Sequence, residues 1–295
     1  MIDRVPFPIR ESIADYFLQA VQAVVTLINF RAAAGGCINH GGELVTSRGN
    51  YFLKWNDKKK FPGMFVAEAK GLMLLSKTET VQTPKVVTTG EADRYQFILM
   101  EFFDADIQSE TYWSTLGKQL AKLHRKSNDY FGLNHDNYIG SLVQKNDAAD
   151  SWIQFFISKR LEPLLMQLSS SNSIDVPFQQ SMQKIFYRME ELFPVEAPSL
   201  LHGDLWSGNV INHYGAPAVI DPAVYYGHRE AEIAFTKLFG GFDIAFYEAY
   251  SHYSPLEAGF ELRQDLYNVY PLLVHAILFG NSYLLQVKRI IKHFE

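Results

Sequence analysis

The segment Leu200-Leu201-His202-Gly203-Asp204-Leu205-Trp206-Ser207-Gly208-Asn209, followed by an isolated carboxylate at Ile220-Asp221-Pro222, constrains this chain more than any other stretch. An Asp, four intervening residues, an Asn and a later Asp is the order in which kinases present a hydroxyl-orienting carboxylate and two oxygen ligands for magnesium. Local structure follows from the same residues. Val210-Ile211-Asn212 and Ala218-Val219-Ile220 read as two short strands around a His213-Tyr214-Gly215 turn, so a hairpin is expected. That hairpin would bring Asn209 at its entrance toward Asp221 at its exit, offering an amide oxygen and a carboxylate to a hard cation. Asp204 would remain for the substrate.

A phosphoryl-transfer site also needs a cation on the phosphates and a group to hold it. Tyr51-Phe52-Leu53-Lys54-Trp55 alternates like a strand and carries one lysine, while Phe65-Val66-Ala67-Glu68-Ala69-Lys70-Gly71-Leu72 opens a helical pattern with Glu68 in its first turn. Lys54 and Glu68 are therefore the candidate phosphate clamp. Upstream, Gly35-Gly36-Cys37-Ile38-Asn39 lies between apolar runs and suits a turn that covers phosphates with backbone N–H groups, although it matches neither the Walker pattern nor a full kinase glycine loop. Singly, a strand lysine is usually a solvated charge, and a glutamate early in a helix usually complements the helix dipole. The order Gly turn, Lys, Glu, Asp, Asn, Asp carries the reading.

Three longer stretches widen the comparison: HGDLWSGN, then IDPAVYYGHREAEIAFTKLFGGF, then PLEAGFELRQDLYNVYPLL. With GGCIN, YFLKWN, LGKQLAKLHR and FGLNHDNYIGS, they make nearly the whole chain resemble the fructosamine kinase (ketosamine 3-kinase) family. The resemblance implies an α+β, two-lobed protein-kinase-like fold of the aminoglycoside phosphotransferase type. It also implies ATP- and Mg²⁺-dependent phosphorylation of the sugar 3-hydroxyl of ketosamines, either small molecules or glycated lysines, as a deglycation repair activity. Carried over residue by residue, it makes Asp204 the base, Asn209 and Asp221 the metal ligands, and Lys54 with Glu68 the phosphate clamp, in agreement with the reading above. Two departures stand out. The family commonly has an Asn-rich segment where this chain reads Leu273-Val274-His275-Ala276-Ile277, and often an Asp where Glu232 stands.

The lobes can be placed along the chain. Residues 1–103 are expected to form a nucleotide-binding lobe, a small antiparallel sheet with the Glu68 helix as its main helix, ending in the strand Tyr95-Gln96-Phe97-Ile98-Leu99-Met100-Glu101-Phe102. Around Met100, Glu101 and Phe102, adenine would meet backbone donors and acceptors. Residues 104–295 are expected to form a larger, mostly helical catalytic and substrate-binding lobe, with Trp113, Leu116, Leu120 and Leu123 at helical spacing as core. His124 at the end of that helix reads as a packed or capping histidine. Only Pro222 to Arg229 separate Asp221 from the next helical run, too little for the activation segment of a protein kinase, which favours a small acceptor. Trp206, Tyr225 and Tyr226 lie near the proposed base and metal ligand in sequence, where aromatic faces could stack on a sugar or its amine; packing is the competing reading.

Composition excludes several classes. In 295 residues with 47% hydrophobic side chains there is enough apolar surface for two ordinary cores, and a net charge of −5 argues against a nucleic-acid partner. The apolar stretch Leu18 to Phe30 is interrupted by Gln19, Gln22 and Asn29 and falls short of a membrane span, and no basic leader precedes it. A cytoplasmic, membrane-free protein is expected. The single cysteine, Cys37, precludes an internal disulfide and could bridge only between molecules, so the expected monomer has a redox-dependent homodimer through Cys37 as its alternative. Two functional alternatives stay open: a kinase of another small acceptor, such as an aminoglycoside or choline, and a non-catalytic nucleotide-binding pseudokinase.

Overall fold

The computed structural model describes residues 1–33 and 38–295. They divide into two compact units, Met1–Ser109 with Ile211–Asp221, and Glu110–Val210 with Pro222–Glu295.

The first unit is built on alternation along its strands. Helix α1 (Phe7–Ala20) is followed by β1 (Leu27–Ala32), β2 (His40–Thr46), β3 (Gly49–Asp57), α2 (Met64–Ser76), β4 (Val86–Ala92) and β5 (Tyr95–Glu101). The strands form an antiparallel sheet in the order β1-β2-β3-β5-β4. Because successive side chains leave a strand on opposite faces, Leu53 and Trp55 of β3 and Phe97 and Leu99 of β5 point one way, and pack with Ile9, Ile13 and Phe17 of α1. Ile98 and Met100 point the other way, onto Phe65, Ala69 and Leu72 of α2, with Phe52 packed alongside. Both faces of the sheet are thus covered. The expected Glu68-bearing helix covers one; α1, whose Ile9, Ile13 and Phe17 recur at the i, i+4, i+8 spacing of a helix stripe, covers the other. Full burial of each such side chain contributes about 1.5–3 kcal/mol before the entropy of ordering is charged against it.

The second unit opens with α3 (Tyr112–Leu123), the short pair β6 (Asn137–Ile139) and β7 (Leu142–Gln144), and α4 (Trp152–Phe155). A π-helical stretch, Phe156–Leu161, joins α4 to α5 (Glu162–Ser170), and α6 (Val176–Leu192) leads to β8 (Ser199–Leu201). The predicted hairpin follows as β9 (Val210–His213) and β10 (Ala216–Val219), and from Ile211 to Asp221 it groups with the first unit. There Val219 N donates to Gln82 O at 2.9 Å and Ser109 N to Gly215 O at 3.0 Å. The chain then forms β11 (Tyr225–Gly227), α7 (Arg229–Leu238), α8 (Ile244–Tyr253), α9 (Phe260–Phe279) and α10 (Ser282–Phe294). β11 runs antiparallel to β8 with Tyr225 opposite Leu201; α3 packs on α8, α7 on α9, and α9 on α10. Among the described residues no helix is long and apolar enough to cross a membrane.

His228, between β11 and α7, is buried with its ring stacked on Trp152 at 4.8 Å and its Nδ1 within 3.0 Å of the Tyr267 hydroxyl. Burial, then the nearby Arg263 and Arg229 guanidinium groups, push its imidazolium down to about 3. In the unfolded chain the same group takes a proton near pH 6.5. Between those values the unfolded state binds a proton that the fold refuses, so stability falls as the pH drops from about 6.5, by up to roughly 1.4 kcal/mol per unit. Urea titrations at pH 7 and pH 5 should register this loss, and His228→Gln should flatten it. An equal pH dependence in that variant would rule His228 out as its source.

Candidate active site

In the first unit the strand period places Lys54. It lies between the inward-facing Leu53 and Trp55 of β3, opposite Ile98 of β5, and so emerges on the face that carries α2. Its Nζ donates to Glu68 Oε1 at 2.9 Å and also to Asp221 Oδ1. Lys54 and Glu68 are nearly sheltered from solvent, with side-chain exposures of 10% and 11%, whereas Asp221 keeps 43%. Burial alone would depress the Lys54 ammonium, but Asp221 and then Glu68 outweigh it and hold the ammonium above its ordinary value, so Lys54 is charged at neutral pH. Burial raises the Glu68 carboxyl, and Lys54 offsets this only in part. The sequence order is therefore realised as an ion triad. Helix α2 begins at Met64, one residue earlier than the sequence pattern suggests, and this puts Glu68 in its second turn.

Asp221 itself sits at φ 56°, in the left-handed region. Asp and Asn tolerate that region better than other residues with a Cβ. The backbone turn immediately after β10 thus favours Asp or Asn over other residues with a Cβ, and Asp supplies a carboxylate as well.

In the second unit the loop after β8 folds back on itself. Asp204 N donates to His202 Nδ1 at 3.3 Å, Trp206 N to Asp204 O at 3.2 Å, and Asn209 N to Trp206 O at 2.9 Å. The Asn209 amide nitrogen donates to Asp204 O at 2.8 Å and to Asp204 Oδ2 at 3.0 Å. The four-residue spacing therefore has a direct meaning: it lets the Asn side chain clamp the Asp carboxylate. It also orients the amide, since the nitrogen is spent on Asp204 and Asn209 Oδ1 enters no hydrogen bond among the described residues. Gly203 is needed here. It lies at φ 84°, and a Cβ would come within 2.0 Å of Ala223 O, the carbonyl behind the loop.

Behind this loop is a polar network that sequence reasoning missed. Glu232 of α7, buried, accepts from Gly203 N at 2.7 Å through Oε1, and through Oε2 from His202 N at 3.2 Å and His124 Nε2 at 2.9 Å. On the other side of the same ring, His124 Nδ1 lies 2.7 Å from the Tyr250 hydroxyl. Burial alone would raise the Glu232 carboxyl, but the His124 hydrogen bond and charge, then His202 and the Gly203 amide, bring it below its ordinary value. One carboxylate thus holds two successive backbone N–H groups just before Asp204. The sequence offered two partial signals, the Glu at 232 where the resembled family often has Asp and the terminal position of His124 on its helix.

The Glu232→Gln enzyme keeps the volume and one acceptor oxygen but turns an NH₂ toward the other donors. A buried N–H left unpaired costs about 1–3 kcal/mol, so turnover should fall roughly tenfold or more while the Michaelis constant for ATP moves little. An unaltered kcat in that variant would show that the network is dispensable for the loop.

The aromatic candidates separate. Trp206 keeps 41% of its surface exposed beside Asp204 and is available to a ligand. Tyr225 is not, and its expected substrate contact is corrected to packing. Its ring is buried, lies 5.7 Å from Phe155, and has the Arg160 guanidinium 4.1 Å over its face. Arg160, at the π-helical stretch, is itself held by Lys145 O at 2.6 Å and Asn146 Oδ1 at 2.7 Å. Tyr226 is half-buried and its backbone exchanges hydrogen bonds with Gly132 at 2.9 Å in both directions. Of the expected adenine segment, Met100 is buried against α2, and the Glu101 amide is already donated to Lys85 O at 2.8 Å. Phe102, half-buried, follows the end of β5. Gly35, Gly36 and Cys37 lie outside the described residues.

Known proteins resemble this chain along nearly its whole length. The fructosamine kinase family profile matches residues 9–294. A Synechocystis protein named a probable ketoamine kinase is 36% identical over 286 residues, covering 96% of this chain and 95% of the relative. A chloroplastic protein-ribulosamine 3-kinase of Arabidopsis thaliana is 38% identical, over 85% of this chain and 78% of the relative. Among solved structures, a Haemophilus somnus protein provisionally assigned as a fructosamine-3-kinase superposes with a TM-score of 0.87 at 28% identity, covering 97% of each chain. An aminoglycoside phosphotransferase superposes with a TM-score of 0.62 at 14% identity, over 96% of this chain and 98% of that one, and shares the protein-kinase-like fold.

Proposed function

Because the chain belongs to the fructosamine kinase family, and is with it an ATP-dependent phosphotransferase whose acceptor is an alcohol group, we propose that it phosphorylates the sugar 3-hydroxyl of ketosamines. The acceptor is an amine–sugar adduct, free or on a lysine side chain, and the product is the first step of its removal. A cytoplasmic setting belongs to the same reading. The observation that carries it is the clamp of Asn209 on Asp204, which fixes a carboxylate in the loop where a hydroxyl must be oriented and relieved of its proton.

Each residue then has a task its surroundings support. Asp204 accepts the hydroxyl proton as the oxygen attacks the γ-phosphorus in line. Lys54, kept charged by Glu68 and Asp221, neutralises phosphate oxygens as negative charge moves onto them. Asp221 and Asn209 Oδ1 are the oxygen donors assigned to Mg²⁺, and their chemistry fits. This hard ion is commonly bound by one or two protein oxygens together with substrate phosphates. Such an ion would screen the charge on the phosphates. Trp206 supplies an apolar face for the sugar.

The test is Mg²⁺-dependent ADP release with a ribulosamine and a fructosamine in parallel, with an aminoglycoside and choline as competing acceptors. Turnover of either ketosamine above the two competitors supports the reading, and the ratio ranks the sugars. Turnover confined to an aminoglycoside or choline would replace it.

A further inference from the structure

Phe239, the residue that closes α7, begins a second feature of the same unit. Next come Gly240 and Gly241 at φ 70° and 90°, and a Cβ at Gly241 would come within 2.6 Å of Ser207 Cβ and Oγ. The loop that carries Phe239 therefore rests directly on the Asp204–Asn209 loop. Beside it stands His275 of α9, the half-buried centre of three aromatic rings: Phe239 at 4.6 Å, Tyr283 at 5.2 Å and Phe279 at 5.3 Å between centroids. Phe239 and Phe279 are 38% and 53% exposed, so this is an open surface and not core.

The histidine has a defined tautomer. Its Nδ1 donates to Pro271 O at 2.8 Å, which leaves Nε2 as the acceptor nitrogen, and among the described residues Nε2 has no partner. Burial lowers its imidazolium, and the Pro271 bond offsets this only partly, so the ring is neutral at pH 7. Aromatic faces attract cations through their quadrupoles. A lone pair between them selects, among cations, one that still carries an N–H.

We propose that His275, Phe239, Phe279 and Tyr283 form a subsite for a secondary alkylammonium group, the amine arm of the acceptor. The inference rests on the ketosamine reading for its physiological ligand, since a ketosamine joins its sugar to such a nitrogen. Phe239 and Tyr283 offer ring faces to the cation, and the ammonium N–H donates to His275 Nε2. Sugar and amine are then read by different parts of one unit, the sugar beside Trp206 and the amine by the His275 cluster.

The first experiment needs no turnover. The imidazole nitrogens of His275 are followed by ¹⁵N NMR as N-methylbutylammonium, or its neutral isostere butyl methyl ether, is added to the wild-type protein. The ammonium should shift the Nε2 resonance saturably and the ether should not, and Phe239→Leu should weaken the response. No shift, or equal shifts from both probes, would overturn the subsite. Kinetics give the second arm: the kcat/KM preference for a ketosamine over its ether-linked analogue should drop about three- to thirtyfold in Phe239→Leu and in His275→Leu, the range that loss of a cation–π contact implies. An unchanged preference would overturn the inference and leave the kinase reading standing. Should the wild-type enzyme turn over no ketosamine, the kinase reading falls, and the NMR titration still decides the subsite.

Discussion

Replacing Asp204 with Asn is expected to lower turnover by at least about 10²–10⁴-fold, the range a positioned general base supplies, with ATP still bound. The substitution is close to isosteric, and the clamp explains why the loss should be chemical. Asn209 Nδ2 also donates to the Asp204 backbone carbonyl at 2.8 Å, which the substitution leaves in place. The Glu232 bonds to Gly203 and His202 N–H are likewise untouched. Loop geometry should therefore survive while the proton acceptor is lost. Single-turnover phosphate transfer together with nucleotide binding by calorimetry separates the two terms. Turnover resembling wild type would remove Asp204 from the mechanism.

The second large effect is expected at Asp221. Asn tolerates the left-handed backbone this position requires, so Asp221→Asn tests charge with little change in shape. The substitution removes the larger of the two negative-charge effects that keep the Lys54 ammonium raised, and replaces a carboxylate assigned to magnesium by a neutral amide. Loss of a fixed charge or donor aimed at a transferring group costs about 10²–10³-fold in rate. Unlike Asp204→Asn, this variant should also need more Mg²⁺ for half-maximal rate. A metal dependence identical to wild type would contradict the assignment. Asp221→Ala should behave worse, because an ordinary Cβ residue at φ 56° adds backbone strain to the same loss of charge.

The parts of the site that were legible in the sequence are those where one short-range rule governs both spacing and shape. A period of two puts Lys54 on the opposite face from Leu53 and Trp55, and a four-residue gap lets Asn209 reach back to Asp204. The Glu232 network was not legible, because it joins residues 29, 30 and 108 positions apart through hydrogen bonds that leave no periodic trace. Tyr225 and Trp206 show a second limit. Both are aromatic and both flank the motif, yet one is core and the other is exposed, and only the partner above each ring distinguishes them. Helix α1 was missed for a third reason. Its apolar stripe is thin, three residues among polar neighbours, and its burial comes from the underside of a sheet assembled from segments far along the chain.

The pleat of β3 bears on how this hairpin can change in length. Thr46 faces Gly49 across the turn between β2 and β3, and every later pairing, as far as His40 opposite Trp55, is counted from there. A slip of one residue exchanges the two faces of a strand. In β3 it would carry the ammonium into the greasy layer against α1 and present Trp55 to α2 in its place. Lost or gained codons in that hairpin should therefore be tolerated in twos and disabling in ones, so that the facing of Lys54 is guarded by the parity of a turn within its own hairpin.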